Sequence, residues 1–214
     1  MKQLFFLSGL GADRRVFDFL DLPGHQLNYL VWVEPIRGET ITEYARRLLP
    51  QIHSDNPILV GVSFGGMIAL EIASIIKVDM VILISSARSP EAIPRYFKFM
   101  ARLNIQKFLR PKPIRKPNAI MFWLFGVTKK EHKMLLTAIM TDTDEAFFAW
   151  AVESIMMWKG NVPSCKVIQI HGTRDRVLTF LSADYVVPRG GHLMIVTNAG
   201  EISQILQSML NKPS

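Results

Sequence analysis

The chain has 214 residues, 49% of them hydrophobic and 20% charged, with a formal net charge of +7. That length and balance give one globular unit with a sizeable core and exclude a disordered chain. No apolar run approaches the roughly 20 residues of a membrane-spanning helix, and the single cysteine, Cys165, excludes an internal disulfide.

Leu4-Phe5-Phe6-Leu7 is a continuous apolar run behind one lysine, with no cleavage site after it. It predicts a buried first strand rather than a signal peptide, and with the lone cysteine it leads us to expect a cytoplasmic protein. Ser8-Gly9-Leu10-Gly11 follows, where two glycines allow a loop that turns its amides inward, and Asp13 can cap a short helix through Val16 and Phe17. Residues 29–33 predict the second strand. Thr40 and Glu43 make a cap pattern ahead of Ile41, Tyr44, Ala45, Leu48 and Leu49, which have helical spacing. Residues 57–62 predict the third strand and residues 80–84 the fourth.

Between those two strands stands Gly61-Val62-Ser63-Phe64-Gly65, followed by a helical run from Met67 to Ala73. A serine between two glycines, at a strand-to-helix junction, is the pattern of a nucleophile elbow. The turn is so tight that a Cβ at Gly61 or Gly65 would collide. Ser63 is thereby raised at the carboxyl edge of the sheet, over the N-terminus of the next helix. A glycine-rich turn with a capping serine gives the same letters, so the rest of the chain must decide.

From residue 89 to 160 the strand–helix rhythm breaks into a helical stretch rich in Met and aromatic residues. Residues 88–133 hold twelve Lys/Arg and two acids, while the remainder has thirteen basic and sixteen acidic residues. The basicity therefore belongs to this insert. The strands then return. Residues 166–170 lead into His171-Gly172-Thr173-Arg174-Asp175, and residues 184–187 lead into Gly190-Gly191-His192. Residues 201–210 predict a closing helix with Ile202, Ile205, Leu206 and Met209 on one face.

Ser63, Asp175 and His192 each follow a predicted strand, the third, fifth and sixth. Alternating strands and helices predict a parallel sheet covered on both faces, whose strand ends share one edge, so the three can converge. The chemistry needs each type. A serine hydroxyl requires a base, imidazole is the neutral-pH base, and a carboxylate fixes its tautomer. Asp184 precedes its strand and so faces the other edge. His25, His53 and His132 fall in loops or on helix surfaces with no partner pattern.

The order Ser, Asp, His, the elbow, the His-Gly-Thr-Arg-Asp turn and the terminal Gly-Gly-His resemble the α/β-hydrolase superfamily over essentially the whole chain. The resemblance implies a mostly parallel sheet of about six strands with helices on both faces. It implies a core of residues 1–88 and 161–214, with residues 89–160 as a helical cap. It implies Ser63 as nucleophile, Asp175 as the acid, His192 as base, and the backbone amides of Leu10 and Phe64 as an oxyanion hole. It assigns His171 a structural place. Ser8 departs from the family, which usually has histidine there, and this changes how the oxyanion loop is braced.

Relatives that open epoxides or remove halides carry aspartate at the elbow. Serine here points to acyl transfer to water, hence a carboxylesterase-like enzyme acting on a small-molecule ester or thioester of an apolar acyl group. Serine members that cleave C–C bonds, or act as cofactor-free peroxidases, share the same three residues. The absence of a metal-ligand cluster or phosphate loop leads us to expect no metal and no cofactor. Phe97, Met100, Phe122, Phe147 and Trp150 are the candidate pocket residues, from an insert whose Met and aromatic content suits an adaptable apolar surface. The basic face, with Arg95, Lys98, Arg102, Lys107 and Arg110, fits a solvated surface, a landing site for an acidic acyl carrier, or a membrane or nucleic-acid contact. Charge alone does not choose among these. With a carrier the chain would resemble the pimeloyl-carrier methyl esterases; nucleic acid is not the expected partner. A non-catalytic binding protein on the same fold is the remaining alternative.

Overall fold

Six short runs become strands in the computed structural model, which describes residues 2–94, 116–161, 163–178, 180 and 182–211. They are β1 (Gln3–Leu7), β2 (Gln26–Tyr29), β3 (Ile58–Val62), β4 (Met80–Ile84), β5 (Lys166–Gly172) and β6 (Tyr185–Val187). They form one sheet in the order β2-β1-β3-β4-β5-β6, with every pair parallel. Val62, Ile84 and Ile170 lie in one row across it. Ser63, Ser85 and His171, the next residues, therefore stand side by side at the carboxyl edge.

Alternation along the strands divides the core in two. Leu4, Phe6, Val60, Ile82 and Ile170 face a layer that includes Leu193 to Val196, Ile202 and Leu206. Phe5, Leu7, Leu59, Val81 and Leu83 face Tyr44, Ala45, Leu48 and the helix that follows Ser63. With both faces covered, β3 and β4 are buried at every residue, which is why they read as unbroken apolar runs.

β2 lies earlier than residues 29–33, and the reason is the edge of the sheet. The Leu30 N–H still donates to the Phe6 C=O at 2.9 Å, but at Val31 and Val33 the backbone is satisfied by side chains instead of a ladder. The Gln51 amide takes both the N–H and the C=O of Val31, at 2.8 and 3.0 Å. The Tyr44 hydroxyl accepts from the Val33 N–H at 3.0 Å and donates to its C=O at 2.8 Å. Burial pushes the Tyr44 phenol up to about 12, so it remains a donor. The true strand, Gln26 to Tyr29, is half-exposed and carries polar residues, which hid it among loop residues.

Three of the helices start at side-chain caps. In α1 (Ile41–Leu48) the Thr40 hydroxyl accepts from the Glu43 N–H, and the Glu43 carboxylate accepts from the Thr40 N–H. α2 (Phe64–Ile75) starts directly after Ser63. Between β4 and β5 come α3 (Ala119–Phe125), α4 (Lys130–Asp142) and α5 (Glu145–Met157), with Asn118 capping α3 and Asp144 capping α5. α6 (Met194–Thr197) and α7 (Ala199–Leu210) close the chain. Among the described residues no helix is long and apolar enough to cross a membrane.

Candidate active site

Ser63 has φ 52° and ψ −121°, a region that side chains other than glycine rarely adopt. Its neighbours enforce this. A Cβ on Gly61 would lie 2.4 Å from the Gly66 Cα, and one on Gly65 would lie 2.2 Å from the Ser8 carbonyl oxygen. The Ser63 N–H donates to the Ile84 C=O at 3.0 Å, and the Ser63 C=O accepts from the Ser86 hydroxyl at 2.6 Å. Such strain costs about 1–3 kcal/mol. Phe64, Met67 and Ile68, all buried immediately behind it, each contribute roughly 1.5–3 kcal/mol. Packing therefore outweighs the strain and holds the serine raised.

His192 sits in the turn after β6. The Leu193 N–H donates to the Phe125 C=O at 3.0 Å, and the His192 ring meets Phe125 edge-on, 5.4 Å between centroids. α3 thus braces the turn that carries the histidine. His192 Nε2 lies 2.9 Å from Ser63 Oγ, and His192 Nδ1 lies 2.9 Å from Asp175 Oδ2.

Asp175 is fully buried in its side chain. Its Oδ1 accepts from the Val177 and Leu178 amides at 2.9 and 3.0 Å. Its Oδ2 faces His192 and also His171 Nε2, at 3.1 Å. Burial alone would push this carboxyl up. The charge of His192, the hydrogen bonds from His171 and His192, and the Leu178 amide outweigh it and hold the pKa well below the usual carboxylate range. An ionised Asp175 only accepts, so His192 Nδ1 carries the proton and Nε2 offers a lone pair to the Ser63 hydroxyl.

The loop after β1 passes against Ser63: a Cβ on Gly9 would stand 3.4 Å from the Ser63 Cβ. The Ser8 hydroxyl donates to the Ala12 C=O at 2.6 Å, and the Trp32 indole N–H donates to the same oxygen at 3.2 Å. This is how serine, in place of histidine, braces the loop. Among the described residues, neither the Leu10 nor the Phe64 N–H is taken up by another group.

A cavity of about 260 Å³ adjoins Ser63 and His192. Its walls come from α3 (Met121, Phe125), α4 (Leu136, Ile139, Met140) and α5 (Phe148, Val152, Ile155). Phe97 and Met100 lie outside the described residues. The other three expected pocket residues sit elsewhere, because their helices present a different face. Phe148, Val152 and Ile155 share one stripe of α5, whereas Phe147 is buried against Trp32 and Phe64. Trp150 stacks on Tyr44 at 4.2 Å and donates its indole N–H to the Glu39 C=O. Phe122 turns from the cavity that Met121 and Phe125 line, with Lys133 over its ring. A larger hollow of about 850 Å³ is lined by Asp13, Glu34, Asp142, Asp144 and Phe147. It shares Ala12 and Thr143 with the smaller cavity but contains neither Ser63 nor His192, so only the smaller of the two adjoins the Ser63–His192 pair.

Asp184 accepts from the Gln169 N–H at 2.8 Å and pairs with Arg88 at 2.7 Å, away from the serine. His132, expected on a helix surface, is buried edge-on against Phe19. Burial pushes the Cys165 thiol up, away from a reactive thiolate. Among the described residues no group of three His, Cys, Asp or Glu side chains has the geometry of a metal site. Gln169 and Ser86, which contact these residues from below, were not singled out from sequence. The available signal was Gln169 and His171 two apart on one face of an otherwise apolar strand.

The sequence model of the alpha/beta hydrolase family matches residues 3–204. Comparison with curated proteins found no match. Among solved structures, a carboxylesterase from the thaumarchaeon Nitrososphaera gargenis is similar with a TM-score of 0.71 at 18% identity, covering 98% of this chain and 89% of that one. A hydrolase from Oleispira antarctica is similar with a TM-score of 0.71 at 13% identity, covering 100% and 92%. A lipase-esterase related protein from Clostridium acetobutylicum has a TM-score of 0.67 at 17% identity, covering 97% and 93%. At these identities the likeness is one of fold.

Proposed function

Because the chain belongs to the alpha/beta hydrolase family, we propose that it is a serine hydrolase that cleaves an ester or thioester of a small to medium apolar acyl group. The observation that carries this is the pair of 2.9 Å contacts running from Ser63 Oγ through His192 to Asp175. His192 Nε2 takes the Ser63 proton as Oγ bonds to the acyl carbon. The carbonyl oxygen becomes an oxyanion beside the free Leu10 and Phe64 amides and the N-terminus of α2. One such donor is worth on the order of 10²–10³ in rate. The tetrahedral intermediate collapses, and His192 protonates the leaving alcohol or thiol. Water, deprotonated by His192, then attacks the acyl-enzyme; the Oγ–acyl bond breaks, His192 returns the proton to Ser63 Oγ, and the acid is released. Asp175 stays ionised throughout and stabilises the imidazolium. The insert between β4 and β5 acts as a cap that supplies the acyl pocket.

A fluorophosphonate probe tests this reading. It should label Ser63 stoichiometrically, and Ser63→Ala should lose labelling and drop ester turnover on the order of 10³ or more. Unchanged labelling of Ser63→Ala overturns the nucleophile. An inert native protein supports a binding protein on this fold instead. A second reading rests on the charge of residues 88–133: an acyl carrier, itself acidic, delivers the substrate. Arg95, Lys98, Arg102, Lys107 and Arg110 lie outside the described residues, so this reading rests on sequence alone.

A further inference from the structure

Ser63, His192 and Asp175 are half of a closed ring. From the Ser63 carbonyl the ring continues to the Ser86 hydroxyl, which donates to it at 2.6 Å. The Ser86 carbonyl accepts from Gln169 Nε2 at 2.8 Å, and the same nitrogen lies 3.3 Å from His171 Nδ1. His171 Nε2 then reaches Asp175 Oδ2 at 3.1 Å. Ser86, Gln169 and His171 are all buried, the histidine completely. The last contact is close but not straight, and among the described residues His171 Nε2 makes no better-aligned bond.

The ring has a direction that elementary donor and acceptor rules fix. A backbone carbonyl only accepts, so the Ser86 C=O holds the amide nitrogen of Gln169 toward it. The second hydrogen of that nitrogen then points at His171 Nδ1, which must accept. His171 is therefore protonated at Nε2, facing an ionised carboxylate. The opposite tautomer would set a ring lone pair against the Asp175 carboxylate at one end and two N–H donors against each other at the Gln169 end. The groups facing His171 are Asp175, Gln169 and the Phe180 ring at 5.7 Å, with His192 across the shared carboxylate. Asp184 is engaged with Arg88 and the Gln169 backbone.

We propose that Gln169 and His171 are positioning residues for the reaction: Gln169 sets the His171 tautomer, and the His171 Nε2–H holds the Asp175 carboxylate that orients His192. The inference rests on the serine-hydrolase reading and adds two residues to it. A neutral N–H on Oδ2 restrains the carboxylate without placing a positive charge in competition with the His192 imidazolium. Removing it frees the carboxylate to rotate and leaves His192 as the sole donor to Oδ2. Turnover then falls through disorder of the carboxylate and of the imidazole it orients.

The test is a set of variants measured on one p-nitrophenyl ester across pH. His171→Leu should lower kcat about tenfold, the worth of one hydrogen bond to a charged group, with KM changed less than twofold. His171→Gln, which places an amide N–H near the same carboxylate, should recover most of kcat. Gln169→Leu should reproduce the loss in part, and serves if His171→Leu does not fold. Ring nitrogen shifts by ¹⁵N NMR of the native protein should show His171 protonated at Nε2. Protonation at Nδ1 overturns the inference, as does a lower Tm with kcat unmoved. Failure of Ser63 labelling would overturn the hydrolase reading instead, and the tautomer would still report on the ring.

Discussion

Asp175 is held on both oxygens: the Val177 and Leu178 amides and His192 Nδ1 bond to it, and His171 Nε2 lies 3.1 Å from Oδ2. Its folded pKa lies well below the ordinary carboxylate value: burial opposes ionisation, and the charge of His192 with the surrounding donors overrides it. A carboxyl depressed in this way stabilises the fold at pH above its unfolded pKa, about 3.9, and that stability is lost as pH falls through the folded value. Across the working range of an esterase it therefore stays charged and contributes no limb to activity. An imidazole base must be neutral to accept the Ser63 proton, so kcat/KM should rise with pH on a single limb. A second acid limb near pH 4 in the native enzyme would return Asp175 to an ordinary carboxyl. Asp175→Asn should lose kcat on the order of 10⁴, since an amide can stabilise the wrong tautomer. Its unfolding free energy should also fall less steeply than that of the native protein below about pH 4.

At the scale of elements, α2 does two jobs from opposite ends. Its first residue presents the free Phe64 amide beside Ser63, and its eighth, Glu71, reaches the other elements packed on the helix. That buried carboxylate accepts from the Thr42 hydroxyl at 2.7 Å, the Trp158 indole at 2.8 Å and the Asn161 amide at 2.6 Å. It thus ties α1, and the chain leaving α5, to the helix that follows Ser63. Glu71→Leu would leave three donors without a partner, at about 1–3 kcal/mol each. The expected result is a fall of at least about 3 kcal/mol in urea unfolding; an unchanged midpoint would mean the donors find other acceptors. Glu71 sits inside an apolar helix, and nothing in its neighbours announces that role. The same limit governs what else could be read from the chain. β3, β4 and the elbow were legible because burial on both faces and missing Cβ atoms leave a local imprint. β2 was displaced because an edge strand is half polar. Phe147 and Trp150 were misplaced from the cavity because the insert is apolar on most sides of α5, so composition does not fix which stripe faces inward. Gln169 escaped notice because its partner is a backbone carbonyl brought near only by the fold.

For the whole molecule, the cavity's size and lining set the substrate the proposed reaction should prefer. At about 260 Å³ it lies just under the usual range for drug-sized ligands, about 300–1,000 Å³. Apart from Ser63 and His192 its walls are almost wholly hydrocarbon and thioether, with Thr143 the other hydroxyl. A growing acyl chain therefore exchanges water for apolar contacts at roughly 0.8 kcal/mol per buried methylene, about fourfold in kcat/KM. A terminal carboxylate would be desolvated there without a partner, which costs several kcal/mol. In a p-nitrophenyl ester series from acetate upward, kcat/KM should climb about fourfold per carbon and then flatten when the cavity is full. Esters of acids that carry a second, charged carboxyl should fall below their neutral counterparts. Val152 faces the cavity from α5 and touches no reacting group, so Val152→Trp should move the plateau to shorter acyl chains while leaving acetate turnover within a few-fold. A flat series, or a variant with the native plateau, would mean that the acyl group lies elsewhere. The same series at low and high salt, beside an acyl-carrier substrate, separates the apolar contribution from the charged one. Burial of methylenes in the cavity is indifferent to moderate salt, whereas attraction between an acidic carrier and the basic insert weakens as the Debye length shortens. A carrier-linked ester favoured over its free counterpart only at low salt would place a partner on the basic insert; equal rates at both would leave that charge to the solvent.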